Sequence, residues 1–150
     1  MKKIKLVLGI IIGIFIFAIV CPIVFIPIFN DNIAKKTAQN VKEIALPPDT
    51  EYVETFAKAG KLVGNGNGMQ YLGGILIKSD LSLQELQSYY SQYTKSENEF
   101  IVEKQTDKNI PFIEHGTVSF HADINNESYY IIYSWGNSNS VFSELDLRGH

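Results

Sequence analysis

The chain has one cysteine, one tryptophan, one arginine and three histidines among its 150 residues, and each scarcity excludes something. Cys21 has no partner for an intramolecular disulfide, so the chain folds on its core alone even in an oxidising compartment. Cys21 also lies inside a long apolar run, which removes it as a nucleophile. It is left as a lipidated thiol or, more economically, a small buried apolar side chain. No Gly-x-Ser-x-Gly elbow offers a serine nucleophile. Zinc needs three or four ligands at fixed geometry. His121 and Asp123 stand two apart on one face of a predicted strand, but no third ligand joins them, and a solvated strand face accounts for the pair. His115 is the other candidate for such a cluster, and His150 is terminal. Glu97, Glu99, Glu103, Glu114, Glu144 and Asp146 read as surface carboxylates, because a paired acid and base needs a cleft that sequence does not display. No catalytic, metal or cofactor set follows.

Positive charge is also short beyond residue 30. From Asp31 onward the chain carries sixteen acidic and ten basic side chains, a balance of −6 against −3 for the whole. A nucleic-acid partner calls for a basic face, so that class is excluded. Anionic polymers and tight headgroup binding are disfavoured for the same reason.

What the chain does have is a run of twenty-four residues, Leu6 to Phe29, without a charged side chain. A helix needs about 20 apolar residues to cross a hydrocarbon core of roughly 30 Å, so this run is long enough to span one. A cleaved signal peptide would have a shorter apolar core and a small-x-small site, whereas Ile26-Pro27-Ile28-Phe29-Asn30 has none. A lipoprotein signal would place small residues before the thiol. Ala18 fits, but Val20 precedes Cys21 and the apolar run continues past it. Both stand as competing readings behind a retained span. Lys2, Lys3 and Lys5 precede the run and Lys35 and Lys36 follow it, so the expected orientation keeps the N-terminus in the cytoplasm and sends residues 31–150 outside. Pro22 and Pro27 are expected to kink the outer half.

Asp31 can cap a second helix through Ile33, Val41 and Ile44, ended by Pro47-Pro48. It is too short for a coiled coil and reads as a juxtamembrane helix that packs on the domain or simply spaces it. Glu51 to Lys58 and Met69 to Lys78 read as strands. On the first, Val53, Thr55, Ala57 and Ala59 share one face and Tyr52, Glu54 and Phe56 the other. Gly73-Gly74 within the second suggests a bulge or a close backbone approach. Gly64-Asn65-Gly66-Asn67-Gly68 joins them. No Lys-Ser/Thr follows and a strand comes next, so this is a turn rather than a phosphate loop. Ser82 and Glu85 form a capping box, with Leu81 and Leu86 as a hydrophobic staple. The helix they open runs to about Thr94 with Leu83, Leu86, Tyr90 and Tyr93 on one face. Phe100–Thr106 reads as a strand. Thr117–Ile124 alternates cleanly and pairs, through Asn125-Asn126-Glu127, with Ser128–Trp135 as a hairpin. Val141–Leu147 is a candidate edge strand.

The expected architecture is α+β. Residues 1–5 are cytoplasmic, 6–29 span the membrane, 30–48 link, and 49–150 form an antiparallel sheet of about five strands packed with one helix. The lysine-rich, arginine-poor usage, the layout and the Gly64–Tyr71 stretch resemble those of functionally uncharacterised small single-pass envelope proteins of low-GC Gram-positive bacteria. The resemblance implies a cell-membrane location and no activity. The functional expectation is a membrane-tethered extracytoplasmic binding module, whose partner is an envelope protein or wall component. An immunity or inhibitor protein against an envelope-acting toxin or hydrolase is the alternative, and an unrecognised hydrolase stands third. Candidate ligand-facing residues are Asn65, Asn67, Tyr71, His121 and Asp123.

Overall fold

The computed structural model describes residues 2–61, 63, 68–94, 99–110, 117–124, 128–136 and 140–149. The first element, α1, spans Lys2–Lys42 as one helix with Pro22 and Pro27 inside it. The chain does not stop and restart at Asp31, where the sequence suggested a new cap. With no helix-breaking residue between Phe29 and Lys42, the backbone ladder simply continues out of the apolar run.

Strand β1 (Thr50–Gly60) and β2 (Gln70–Ser79) follow, then α2 (Leu83–Ser91), β3 (Ile101–Lys104), β4 (Asn109–Ile110), β5 (Val118–Ser119), β6 (Tyr129–Gly136) and a 3-10 turn at Leu147–Gly149. The fold class is α+β. β1, β2, β6 and β3 form a four-stranded antiparallel sheet in that order, and β4 pairs with β5 in a separate two-stranded sheet.

One expected pairing and one expected strand are corrected. Ser128–Trp135 does not return as the hairpin partner of Thr117–Ile124; β6 instead inserts between β2 and β3. Tyr130 and Ile132 bury on one face of β6 and Ile131 and Tyr133 on the other, and a strand apolar on both faces belongs in the middle of a covered sheet. Val141–Leu147 is not a strand either. Residues 141–145 form turns and lead through Asp146 into the 3-10 turn. The helix after Ser82 ends at Ser91, before Thr94.

The sheet is covered on both sides. On one side, Val41 of α1 and Leu86 and Tyr90 of α2 pack on Ile75, Ile77 and Ile132. On the other, Ile110 and Phe120 close over Phe56, Leu72, Leu76 and Ile131, and the Phe56 and Phe120 rings meet edge-on at 5.5 Å. The alternation expected on 117–124 holds, with Val118, Phe120, Ala122 and Ile124 against this core and Thr117, Ser119, His121 and Asp123 exposed. A register shift between Tyr52 and Glu54 brings Val53 to the same side as Phe56, whereas unbroken alternation would separate them.

The glycine pair in β2 is a close approach rather than a bulge. A Cβ on Gly73 would lie 2.3 Å from the Ala38 nitrogen and 2.6 Å from the Ala34 oxygen. The backbone of α1 therefore rests directly on β2, through a stripe of Ala34, Ala38 and Gly73. Since Asn30 meets Tyr71 and Val41 meets Ile77, α1 climbs along β2. The start of β2 is the end of the domain nearest the apolar run, and Ser79 is the far end.

Candidate functional site: a polar clasp at the foot of the domain

Asn30 is the first polar residue after the apolar run, and it is fully buried. Its amide is used on both sides. Oδ1 accepts from the Tyr71 hydroxyl at 2.8 Å, while Nδ2 donates to Asp146 Oδ2 at 2.8 Å and to the Phe142 carbonyl at 3.1 Å. A buried amide without such partners would carry a large desolvation cost.

Arg148, the only arginine, completes the cluster. Nε donates to Asp146 Oδ1 at 3.0 Å and Nη2 to Asp146 Oδ2 at 2.8 Å, the two-pronged geometry that suits a guanidinium and a carboxylate. Nη1 donates to Asp31 Oδ1 at 2.8 Å, and Nη2 also reaches the Pro27 carbonyl at 3.1 Å. Burial pushes the Asp146 carboxyl upward, but the hydrogen bonds from Arg148 and Asn30 outweigh it and hold the pKa below its ordinary value. Arg148 is raised, first by its bonds to Asp146 and, against burial, by Asp31. The Tyr71 hydroxyl is raised by burial and then by the Asp146 charge, with Arg148 opposing.

Around this cluster the tail is fastened by backbone and rings. Lys61 N–H donates to the Arg148 carbonyl and Gly68 N–H to the Gly149 carbonyl, at 3.1 and 2.7 Å. The Phe142 ring meets Phe29 at 4.9 Å and Phe25 at 5.8 Å. The donors of Asn30 and Arg148 are thus engaged within the cluster. Its chemistry is positional: it welds residues 140–149 to the point where α1 passes from bare to buried.

A second polar feature lies at the opposite end. Asp49, Thr50, Glu51, Lys78, Ser79 and Asp80 line an open cleft of about 400 Å³. Asp49 adopts φ 54°, a left-handed conformation that its short polar side chain tolerates. Its carbonyl accepts from Asp80 N–H at 3.1 Å and from Ser79 Oγ at 3.4 Å, and Ser79 Oγ lies 2.7 Å from Thr50 Oγ1. Three carboxylates here face a single ammonium.

Comparison with protein-family models, with curated proteins and with solved structures gives no match. The geometry alone therefore carries the functional argument.

The residues singled out by sequence are scattered. Asn65 and Asn67 lie outside the described residues, as does His115. Tyr71 points inward, 2% exposed, with its hydroxyl on Asn30. The His121 side chain is fully exposed and sits with Nδ1 3.1 Å from Glu54 Oε2, while Glu54 Oε1 accepts from the backbone N–H groups of His121 and Ala122 at 2.8 and 3.1 Å. Glu54 thereby ties the 120–124 strap to β1. Asp123 is exposed. Among the described residues no three His, Cys, Asp or Glu side chains converge as metal ligands. The clasp itself was missed, because Asp146 reads as a surface carboxylate and its partner, Asn30, stands 116 positions away. A lone arginine two residues after the Glu144-Leu145-Asp146 run was the available signal.

Proposed function

We propose that the protein is a membrane-tethered extracytoplasmic binding module that holds its far end at a fixed height above the bilayer. The observation that carries this reading is the continuity of α1: its first part is apolar and bare, and its last part is a core element of the domain. A flexible linker would let the domain wander. Here the same unbroken helix serves as anchor and as structural wall, so the domain inherits the helix's orientation. At 1.5 Å per residue, the thirteen steps from Phe29 to Lys42 raise the distal end by about 20 Å.

The polar groups also favour recognition over catalysis. Those at the foot are consumed by one another, and in the distal cleft the Ser79 and Thr50 hydroxyls bond each other and the Asp49 and Pro48 carbonyls rather than a carboxylate base. An envelope protein or wall component fits such a presentation. The lysine excess before the run supports an extracytoplasmic domain.

The test uses the full chain in cells. Lys78→Cys in a Cys21→Ala background should react with a membrane-impermeant maleimide without permeabilisation. A photo-crosslinker at Glu51 should then trap a discrete envelope adduct, and one at Lys36, on the exposed flank of α1, should not. Labelling only after permeabilisation would reverse the topology. Adducts from Lys36 and none from Glu51 would reject the distal face as the binding surface.

A further inference from the structure

Exposed apolar side chains are unevenly spread. Outside α1, the described residues expose seven large apolar or aromatic side chains: Tyr52, Val63, Tyr93, Trp135, Val141, Leu145 and Leu147. The two tyrosines keep their hydroxyls hydrogen-bonded, to Thr55 and to Tyr89. The other five lie at the foot of the domain. Val63 follows the end of β1; Trp135 stands opposite Leu72, near the start of β2; and Val141, Leu145 and Leu147 belong to the tail clasped to α1. Leu147 is 85% exposed and Val141 78%, values that water would penalise for aliphatic side chains.

Depth along the helix gives these residues a neighbour. Leu145, Asp146, Leu147 and Arg148 face Pro22, Ile23, Ile26 and Pro27 of α1 across a narrow cleft of about 320 Å³. If Leu6 begins the membrane crossing, about 20 residues carry the helix through the hydrocarbon core to about position 25. Pro22 and Ile23 then lie just inside the outer boundary of that core, and the tail beside them lies at the boundary too. Phe142, packed on Phe25 and Phe29, makes the apolar surface of the helix continuous with that of the tail. Asp31, which accepts from Arg148, sits about 9 Å beyond position 25 along the helix, where headgroups and water begin. Trp135 is the residue type that concentrates at this level of a membrane protein.

We infer that the foot of the domain is itself a bilayer-contacting surface, in which Val141, Leu145, Leu147 and Trp135 enter the boundary of the leaflet from which α1 emerges. The partner is the phospholipid bilayer, met through acyl chains rather than headgroup charge, because Arg148 is shared between two carboxylates. The clasp then has a purpose: it neutralises Asp146 and Arg148 within the protein so that the tail can approach hydrocarbon. The inference rests on α1 crossing the membrane, and its test separates the two.

The full chain, with Cys21→Ala, carries one nitroxide at a time at Ile14, Leu147, Val141 or Lys78 and is reconstituted in phosphatidylcholine vesicles. Collisions with oxygen, which partitions into lipid, are compared with collisions with a water-soluble nickel chelate. Oxygen should dominate several-fold at Ile14, Leu147 and Val141, and nickel at Lys78. Nickel dominance at Leu147 and Val141, with oxygen dominance retained at Ile14, would overturn the inference while leaving the span intact. Nickel dominance at Ile14 as well would overturn both. Dipolar broadening at Leu147 that vanishes on dilution with unlabelled chain would assign the patch to a second copy instead. The unlabelled chain gives an independent arm: lipids spin-labelled near the top of the acyl chain should quench Trp135 more strongly than aqueous iodide does, and the reverse order would again overturn the inference.

Discussion

Between Ile4 and Phe25 the side chains of α1 are exposed, with Cys21 alone partly covered; between Asn30 and Val41 the same helix buries Asn30, Ala34, Ala38 and Val41 completely. The backbone is helical throughout. What changes is the neighbour each face needs. The lower stretch is aliphatic and aromatic all round, which suits a segment surrounded by hydrocarbon. The upper stretch has one narrow stripe of small residues at spacings of four, four and three, backed by Lys35, Lys36, Gln39 and Asn40 facing water. That is the pattern of a helix with one wet and one packed side. The clasp around Asn30 marks the changeover. An apolar run long enough to cross a membrane and a core element of the domain are thus two halves of one helix, and substitutions on each side of Asn30 can pull them apart.

The largest expected effect comes from wedging the upper half off the sheet. Gly73→Val would drive a side chain into the Ala34–Ala38 backbone, which cannot yield as a flexible side chain could. Overpacking of this kind should cost at least about 3 kcal/mol. Urea unfolding in lipid nanodiscs, followed through Trp135 and protease nicking, should show a loosened domain on a helix that still partitions with the membrane. Gly136→Ala, where an added Cβ meets nothing within 4 Å, should behave as wild type. A Gly73→Val domain as stable as wild type would mean that α1 does not pack on β2.

The changeover itself is tested at Asp146. Asp146→Ala strips Asn30 and Arg148 of a shared acceptor, and leaving such groups unpaired should cost about 2 kcal/mol. The wild-type clasp should also be acid-sensitive. The folded pKa of Asp146 lies below its ordinary 3.8, so its contribution is complete above that value and is lost as the pH falls through the folded one. Acid unfolding of Asp146→Ala should lack this component. Identical acid profiles for the two chains would separate the clasp from stability.

How much of this was readable beforehand follows the range of the forces involved. The apolar run, the Ser82 capping box, β1 and β2 are local patterns, and they stand where periodicity put them. The alternation of residues 117–124 is local too, but its strand partner is not, because pairing depends on which sheet position can cover both faces of β6. The continuity of α1 through Asp31 escaped because a capping residue in sequence looks the same whether or not the helix has already begun. The clasp escaped most fully. Only the fold brings Asn30, Tyr71, Asp146 and Arg148 within hydrogen-bonding distance.

A smaller effect distinguishes α2 from the upper half of α1. α1 enters the domain already helical, while α2 must start from a free N-terminus. Ser82 supplies what it lacks: Ser82 Oγ accepts from Glu85 N–H at 3.3 Å, and Glu85 Oε2 accepts from Ser82 N–H at 2.8 Å. Ser82→Ala should cost about 1 kcal/mol, as loss of an N-cap usually does. Asp31→Ala should show no capping loss, since Asp31 lies inside a helix; any cost it has should disappear in an Arg148→Ala background. An Asp31→Ala cost that persists there would argue that α1 does break at residue 31.

The smallest effect contrasts two buried tyrosines beside the two ends of that upper stretch. Tyr71 packs near Ala34 with its hydroxyl donated to Asn30, whereas Tyr90 packs with Val41 and its hydroxyl has no partner among the described residues. Burial raises the pKa of the Tyr90 hydroxyl strongly, with the charges of Tyr89 and Tyr93 adding to it, so the group stays neutral and simply carries the cost of lost water. Tyr90→Phe deletes that cost without opening a cavity and should leave stability unchanged or raise it by up to about 1 kcal/mol. Tyr71→Phe deletes a made bond and orphans the Asn30 oxygen, so it should lower stability by about 1 kcal/mol. The two variants can be compared in one urea series read through Trp135. Equal losses would mean that Tyr90 has found an acceptor, and that the contact between α2 and the top of α1 is held by a polar bond as well as by packing.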